Sequence, residues 1–166
     1  MSNLLPITKI DQVCVVVRDL RKAMAEYHAR LGIGPWRTFT FAKPPLRELT
    51  YRGKPADYSM RIGFAQFGQL QYELIEPLAG PTIYHEFLER HGEGIHHFGT
   101  VVPNLDAAVA EAEAAGYRVL QSGRGTGVLG DGGFAYLSTD DTLNAIFELI
   151  EIPRERRAPE GIYPEG

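Results

Sequence analysis

Ile10-Asp11-Gln12-Val13-Cys14-Val15-Val16-Val17-Arg18-Asp19-Leu20 and Ile95-His96-His97-Phe98-Gly99-Thr100-Val101-Val102-Pro103-Asn104-Leu105 are two versions of one pattern. In both, an apolar strand runs into a short polar capping residue and then into a helix start. Laid over one another, they put Gln12 on His97 and Leu20 on Leu105. Each is followed by a second shared run, Tyr72-Glu73-Leu74-Ile75-Glu76-Pro77 in the first case and Phe147-Glu148-Leu149-Ile150-Glu151-Ile152-Pro153 in the second. A unit that repeats an amide or imidazole on its first strand and a carboxylate on its last can gather four donors in one place.

The segments between these runs follow one order twice. After a strand at 7–17, Asp19 is a helix N-cap, and Leu20, Met24, Tyr27 and Leu31 recur at helical spacing up to Gly32. Strands are expected near 36–42, 58–67 and 69–76, with a Pro- and charge-rich loop from Ala42 to Asp57 between the first two. The second unit repeats this with a strand at 95–102, the N-cap Asn104, a helix at 105–115, and strands near 117–121, 133–138 and 144–152. Glu73 lies 61 positions after Gln12, and Glu148 lies 51 after His97; the difference falls in the Pro-rich loop, where insertion is cheap. The expected architecture is α+β: two tandem βαβββ modules, residues 7–77 and 94–153, forming one curved mixed sheet around a metal-binding cavity. Residues 78–93 form a linker helix, and the polar tail 154–166 runs extended over the surface or onto a partner subunit.

Strand periodicity sorts the side chains. Gln12, Cys14 and Val16 share one face, and Val13, Val15 and Val17 take the other, against the helix. Glu73 and Glu148 are likewise flanked by apolar residues that face the opposite way. Gln12, Glu73, His97 and Glu148 therefore point into one concavity. His96 is expected to point away from His97 and is set aside as a ligand.

Composition narrows the remaining possibilities. Apolar residues at 44% provide for a packed core, yet no run of them is long enough to cross a bilayer. The net charge of −4 with no basic block argues against binding nucleic acid. The lone cysteine, Cys14, rules out an internal disulfide and suits a reducing compartment, and the first residues lack the pattern of a secretion signal, so a cytoplasmic location is expected. Gly125 to Gly130 match a G-x-G-x-x-G string, but it leads into the strand Phe134-Ala135-Tyr136-Leu137 and not into a helix, so no dinucleotide site is expected there. A turn or lid over the cavity is the better reading.

The repeated βαβββ pattern with donors at Gln12, Glu73, His97 and Glu148 resembles the vicinal oxygen chelate superfamily, which includes glyoxalase I, methylmalonyl-CoA epimerase, extradiol dioxygenases and bleomycin-resistance proteins. Its most specific stretch is Gly92-Glu93-Gly94-Ile95-His96-His97, similar to the epimerase branch, where the second histidine binds metal. Gln12 stands where those epimerases usually carry histidine, and Arg61 falls near their second catalytic glutamate. The resulting Gln, Glu, His, Glu set resembles the glyoxalase I enzymes instead. The two-histidine, one-carboxylate set of the iron dioxygenases is not available.

The resemblance implies a divalent ion, one of zinc, nickel, cobalt or manganese, held by Gln12, Glu73, His97 and Glu148. It implies a small carbonyl or thioester substrate, an enediolate or enolate, Glu148 as base and Glu73 as the group returning the proton. Isomerase, epimerase and lyase chemistries all fit that scheme. Arg61 and Cys14 are the candidate substrate-binding residues; no adjacent base marks Cys14 as a nucleophile. A homodimer is the superfamily's usual state. The competing class is a metal-free, ligand-sequestering protein like those conferring bleomycin resistance, which has no use for two inward carboxylates beside a histidine.

Overall fold

Val13, Val15 and Val17 alternate with Gln12, Cys14 and Val16, and in the computed structural model, which describes residues 7–165, this stretch forms strand β1 (Gln12–Val16). Helix α1 (Leu20–Leu31) starts at Asp19, whose side chain accepts from the Lys22 amide. Strands β2 (Trp36–Phe41), β5 (Ser59–Phe67) and β6 (Leu70–Ala79) complete the first half, and helix α2 (Ile83–His91) leads out of it. The second half runs through β7 (Gly94–Val101), α3 (Leu105–Ala114), β8 (Val119–Thr126), β9 (Gly132–Leu137), the short helix α4 (Asp140–Leu143) and β10 (Ile146–Glu151). Asn104 caps α3 as Asp19 caps α1.

Three further strands, β3 (Arg47–Tyr51), β4 (Lys54–Pro55) and β11 (Gly161–Tyr163), complete one curved, unclosed mixed sheet in the order β11-β2-β5-β6-β1-β7-β10-β9-β8-β3-β4. β1 and β7 run antiparallel at its centre, and each has a parallel neighbour from its own half, β6 and β10 respectively. The α+β class and curved mixed sheet read from the duplication are present.

The sheet's convex side carries α1, where Leu20 and Met24 pack on Val15, Val17 and Leu74, and α3, where Leu105 and Ala112 pack on Leu137 and Leu149. The last glutamate of each Glu-Leu-Ile-Glu run also turns to this side. Glu76 accepts from the Leu20 amide and Glu151 from the Leu105 amide, both at 2.9 Å, meeting donors that a helix start leaves unpaired. On the concave side α2 fills one end, with Ile83, Tyr84 and Leu88 packed against Val16, Ile75 and Tyr136.

Two segments differ from the expected pattern. The Pro-rich loop 42–57 carries β3 and β4, and β3 pairs antiparallel with β8 of the other half. Leu46 and Leu49 explain this, because both are buried in the concave cluster and draw an otherwise polar segment inward. The tail is not a free extended segment: β11 adds to the outer edge of β2, and Tyr163 packs against the cluster containing Trp36. Its Pro and charge content obscured that one aromatic anchor. The glycine-rich stretch 123–133 is mostly strand, with β8 running on to Thr126 before the turn into β9.

Candidate active site

The duplicated register builds the site. On β1, Cys14 lies beside Glu73 of β6 and His97 of β7; on β7, Gly99 lies beside Gln12 of β1 and Glu148 of β10. Four neighbouring strands thus each deliver one polar side chain to the concave face. Gln12, Glu73, His97 and Glu148 are all buried and in mutual contact. The Gln12 amide Nε2 donates to Glu73 Oε2 at 2.9 Å and to Glu148 Oε2 at 3.1 Å. His97 Nε2 lies 3.3 Å from Glu73 Oε2 and 3.2 Å from Glu148 Oε2. Gly99 is required for this convergence, since a Cβ there would lie 3.0 Å from Gln12 Cβ and 3.3 Å from Glu148 Oε2.

Two carboxylates and one imidazole in a buried space make an electrically unbalanced cluster. Burial alone lowers the His97 pKa, but the Glu148 and Glu73 carboxylates more than reverse this and hold it at about 9. Burial pushes the Glu73 carboxyl above its ordinary value; His97 opposes that shift and Glu148 adds to it. Although it lies close to both carboxylates, His97 Nε2 has no well-aligned hydrogen bond. The Cys14 thiol, Glu73 carboxylate and His97 ring offer donor atoms within 4.8 Å of one another. An unpaired buried imidazole nitrogen facing two carboxylates and an amide fits a divalent cation, whose charge would balance both acids.

Neighbouring groups hold His97 in place. The Tyr136 ring stands edge-on to it with centroids 4.8 Å apart, and the Tyr136 hydroxyl is bonded to Tyr84 at 2.7 Å. His96 is also recruited. Strict alternation would send it to the far face, but the β1–β7 register shifts between Cys14 and Val15, leaving His96 as the extra residue of a bulge. Its buried ring packs between Tyr84 and Phe87 and reaches His97. The His-His pair was visible in the sequence; the bulge that brings both rings to one cluster was not.

Above the carboxylates lies a cavity of about 380 Å³, whose floor includes Gln12, Glu73 and Glu148. Its walls are apolar, built largely from Phe39, Phe41, Ile62, Phe64, Phe134 and Tyr136. The two candidate substrate residues lie elsewhere. Arg61 shares its face of β5 with Gly63 and Ala65 on the helix side, where its guanidinium lies 3.9 Å from Glu76. Cys14 is fully buried beside Glu73 and His97 and does not line the cavity, and burial, followed by the charge of Glu73, pushes its thiol well above the ordinary range. The cations that do line the cavity are Arg37, Arg156 and Arg157. Two of them come from the tail, which has no periodic pattern to reveal that placement.

No described helix is long and apolar enough to cross a membrane. The chain is 22% identical over 143 residues to the Bacillus subtilis protein YqjC, covering 86% of this chain and 91% of that one. It is 29% identical over 118 residues to the ethylmalonyl-CoA/methylmalonyl-CoA epimerase of Cereibacter sphaeroides, covering 70% of this chain and 78% of that one. Its fold is similar to the crystal structure of methylmalonyl-CoA epimerase from Mycobacterium tuberculosis, with a TM-score of 0.66 at 24% identity over 89% of this chain and 91% of that one. The sequence profile of the Glyoxalase/Bleomycin resistance protein/Dioxygenase superfamily matches residues 11–136, and with the duplicated halves, the curved sheet and the inward-facing polar cluster in view, the chain belongs to that superfamily.

Proposed function

We propose that this protein is a divalent-metal-dependent isomerase of the epimerase type, moving a proton at the carbon next to a carbonyl or thioester. The observation that carries this reading is the pair of buried carboxylates, Glu73 and Glu148, meeting Gln12 and His97 at the floor of a cavity with aromatic walls. The similarity to proteins named as acyl-CoA epimerases supports it. Glu73, His97, Glu148 and Gln12, the last with its amide turned to present Oε1, would hold the ion, an oxygen and nitrogen set suiting zinc, nickel, cobalt or manganese, and when bound it supplies Lewis-acid polarisation of a substrate carbonyl.

The chain's own groups handle the proton. Glu148 and Glu73 contact Gln12 and His97 through their Oε2 atoms. Glu148 takes the proton from the substrate carbon. Glu73, reaching the cluster from the other half of the sheet, delivers one from the other side, so the outcome is inversion; return by the same carboxylate gives a 1,2-shift. The aromatic walls exclude water from the reacting carbon.

The test is solvent exchange. Protein stripped with chelator and reloaded separately with zinc, nickel, cobalt or manganese is incubated in heavy water with methylmalonyl-CoA and with the hemithioacetal of glutathione. Deuterium should enter the carbon next to the carbonyl of at least one probe, only in metal-loaded protein. Equal exchange with and without metal overturns the metal requirement. No exchange with any ion, combined with tight metal-independent binding of an aromatic ligand, assigns the cavity to sequestration.

A further inference from the structure

Beyond β10 the chain crosses the mouth of the cavity. Residues 152–160 leave the second half of the sheet, and β11 joins β2 at the far edge of the first half. Five strands, β7, β1, β6, β5 and β2, lie between β10 and β11. The segment bends at Arg154–Glu155 and again at Glu160 on its way across. Pro153, Arg156, Arg157 and Pro159 line the same cavity as Glu73 and Glu148. This is a strap across the concave face.

The strap is pinned along its length. The Val128 amide donates to the Glu155 carbonyl at 2.9 Å, Arg157 Nε to the Gly127 carbonyl at 3.0 Å and Arg154 Nε to Asp131 at 2.6 Å. Glu160 takes the Thr40 amide and hydroxyl, each at 2.8 Å. Gly127, at φ +83°, has no room for a side chain, since a Cβ there would fall 2.2 Å from Pro153. The strap is therefore a wall of the cavity.

Charge across the cavity is polarised. Arg154 is paired with Asp131, but among the described residues Arg37, Arg156 and Arg157 form no ion pair. The other acids near the mouth are engaged: Asp11 with Lys9 and the Val101 amide, Glu151 with the Leu105 amide. Two carboxylates at the floor, an apolar belt, and three uncompensated guanidinium groups at the mouth define a directional site. An anion is repelled from the floor and held at the rim, where guanidinium forks match carboxylate and phosphate oxygens.

We propose that the strap completes the substrate site and that Arg37, Arg156 and Arg157 bind an anionic group, carboxylate or phosphate, at the end of an apolar or aromatic substrate whose reacting carbonyl lies at the Glu73–Glu148 floor. Which end lies at the floor rests on the isomerase reading above; the anion site itself does not. The test therefore uses binding to metal-free full-length protein. Three probes with one aromatic body, 1-naphthoate, 1-naphthyl phosphate and the neutral 1-naphthol, are titrated calorimetrically. At least one anion should bind roughly tenfold or more tighter than 1-naphthol, as charge-assisted hydrogen bonds warrant, and the tighter anion identifies the group. Arg37→Ala/Arg156→Ala should remove most of that advantage while leaving 1-naphthol affinity within about twofold. Arg156→Ala alone, which disturbs none of the bonds pinning the strap, should remove part of it, and added salt should erode it. Equal affinity of all three probes, no binding by any of them, or an undiminished anion advantage in the double variant would overturn the proposal. An anion advantage without deuterium exchange would instead leave the rim site standing and remove the isomerase reading.

Discussion

His96 Nδ1 lies 2.9 Å from His97 Nδ1, so one of these two atoms must carry the proton. Burial, reinforced by His97, drives the His96 pKa well below its ordinary value, while its ring also hydrogen-bonds to the Ile83 backbone. A neutral His96 presents its Nδ1 lone pair to His97. His97 then donates through Nδ1 and turns Nε2 toward Glu73 and Glu148. The first histidine of the pair thus orients the second.

The His96→Phe variant keeps a ring between Tyr84 and Phe87 but removes the acceptor. It should weaken divalent-metal affinity by about tenfold or more, with a folded near-UV spectrum retained. Nitrogen-15 spectra of the imidazoles should show His97 losing its hydrogen-bonded Nδ1 proton signal. Unchanged affinity and an unchanged Nδ1 signal would reduce His96 to packing alone.

Ligand and base roles separate at Glu148. Glu148→Gln keeps an oxygen donor, so metal should be retained while exchange falls by roughly a hundredfold or more. His97→Ala should lose the metal itself, read by elemental analysis of dialysed protein. Identical metal content in the two variants would mean that the roles are not divided in this way.

The site also predicts how pH acts on the metal-free protein. The folded His97 pKa of about 9 lies above the ordinary 6.5. Its contribution to stability is complete below pH ~6.5 and disappears as pH rises through about 9. Glu73, raised by burial, acts in the same direction. In chelator, the urea midpoint should fall between about pH 7 and pH 9.5. Metal binding must displace the imidazolium proton, so its apparent affinity should rise by roughly tenfold per pH unit across much of that interval. A midpoint that climbs with pH in chelator would contradict this assignment.

Gly99 has only the space its missing side chain leaves. In Gly99→Ala the new methyl would meet Ile150 Cδ1 at 2.7 Å and Gln12 Cβ at 3.0 Å. Ile150 can rotate, but Gln12 and Glu148 must move apart. The cost should be about 1–3 kcal/mol in stability, with a loss of metal affinity exceeding that of an alanine elsewhere on β7. A neutral outcome in both measurements would show that the approach of β1 to β10 is looser than these distances imply.

How much could be read from the sequence differs between residues. Gln12, Glu73, His97 and Glu148 were legible because duplication placed equivalent residues at equivalent registers and alternation set their faces, and in the structure they meet. The second glutamate of each Glu-Leu-Ile-Glu run was equally visible, but its purpose was not, because a bond from Glu76 to the Leu20 amide exists only once helix and strand are packed. His96 was misdirected because a bulge breaks the period of two on which the reading depends. Arg61 was a substrate candidate by its charge, but β5 turns it to the helix side, and Arg37 on β2 lines the cavity instead. The strap carried no periodic signal: Tyr163, its one anchored ring, is isolated in a run of prolines and charges.

The pairing of β3 with β8 bears on how the chain comes to be made. Thr50 must wait for Ser122, its hydroxyl partner 72 positions later, before the edge it belongs to exists. At ~5–20 residues per second of synthesis, that interval lasts roughly four to fourteen seconds. Through it, Leu46 and Leu49 have no second half to enter, and the hairpin emerges from the ribosome as an unpaired ribbon with an apolar side. The halves look like independent repeats, yet the open edge of this hairpin is completed only by the second half, which makes this stretch of chain the place where a chaperone, or a neighbouring nascent copy, would first find purchase.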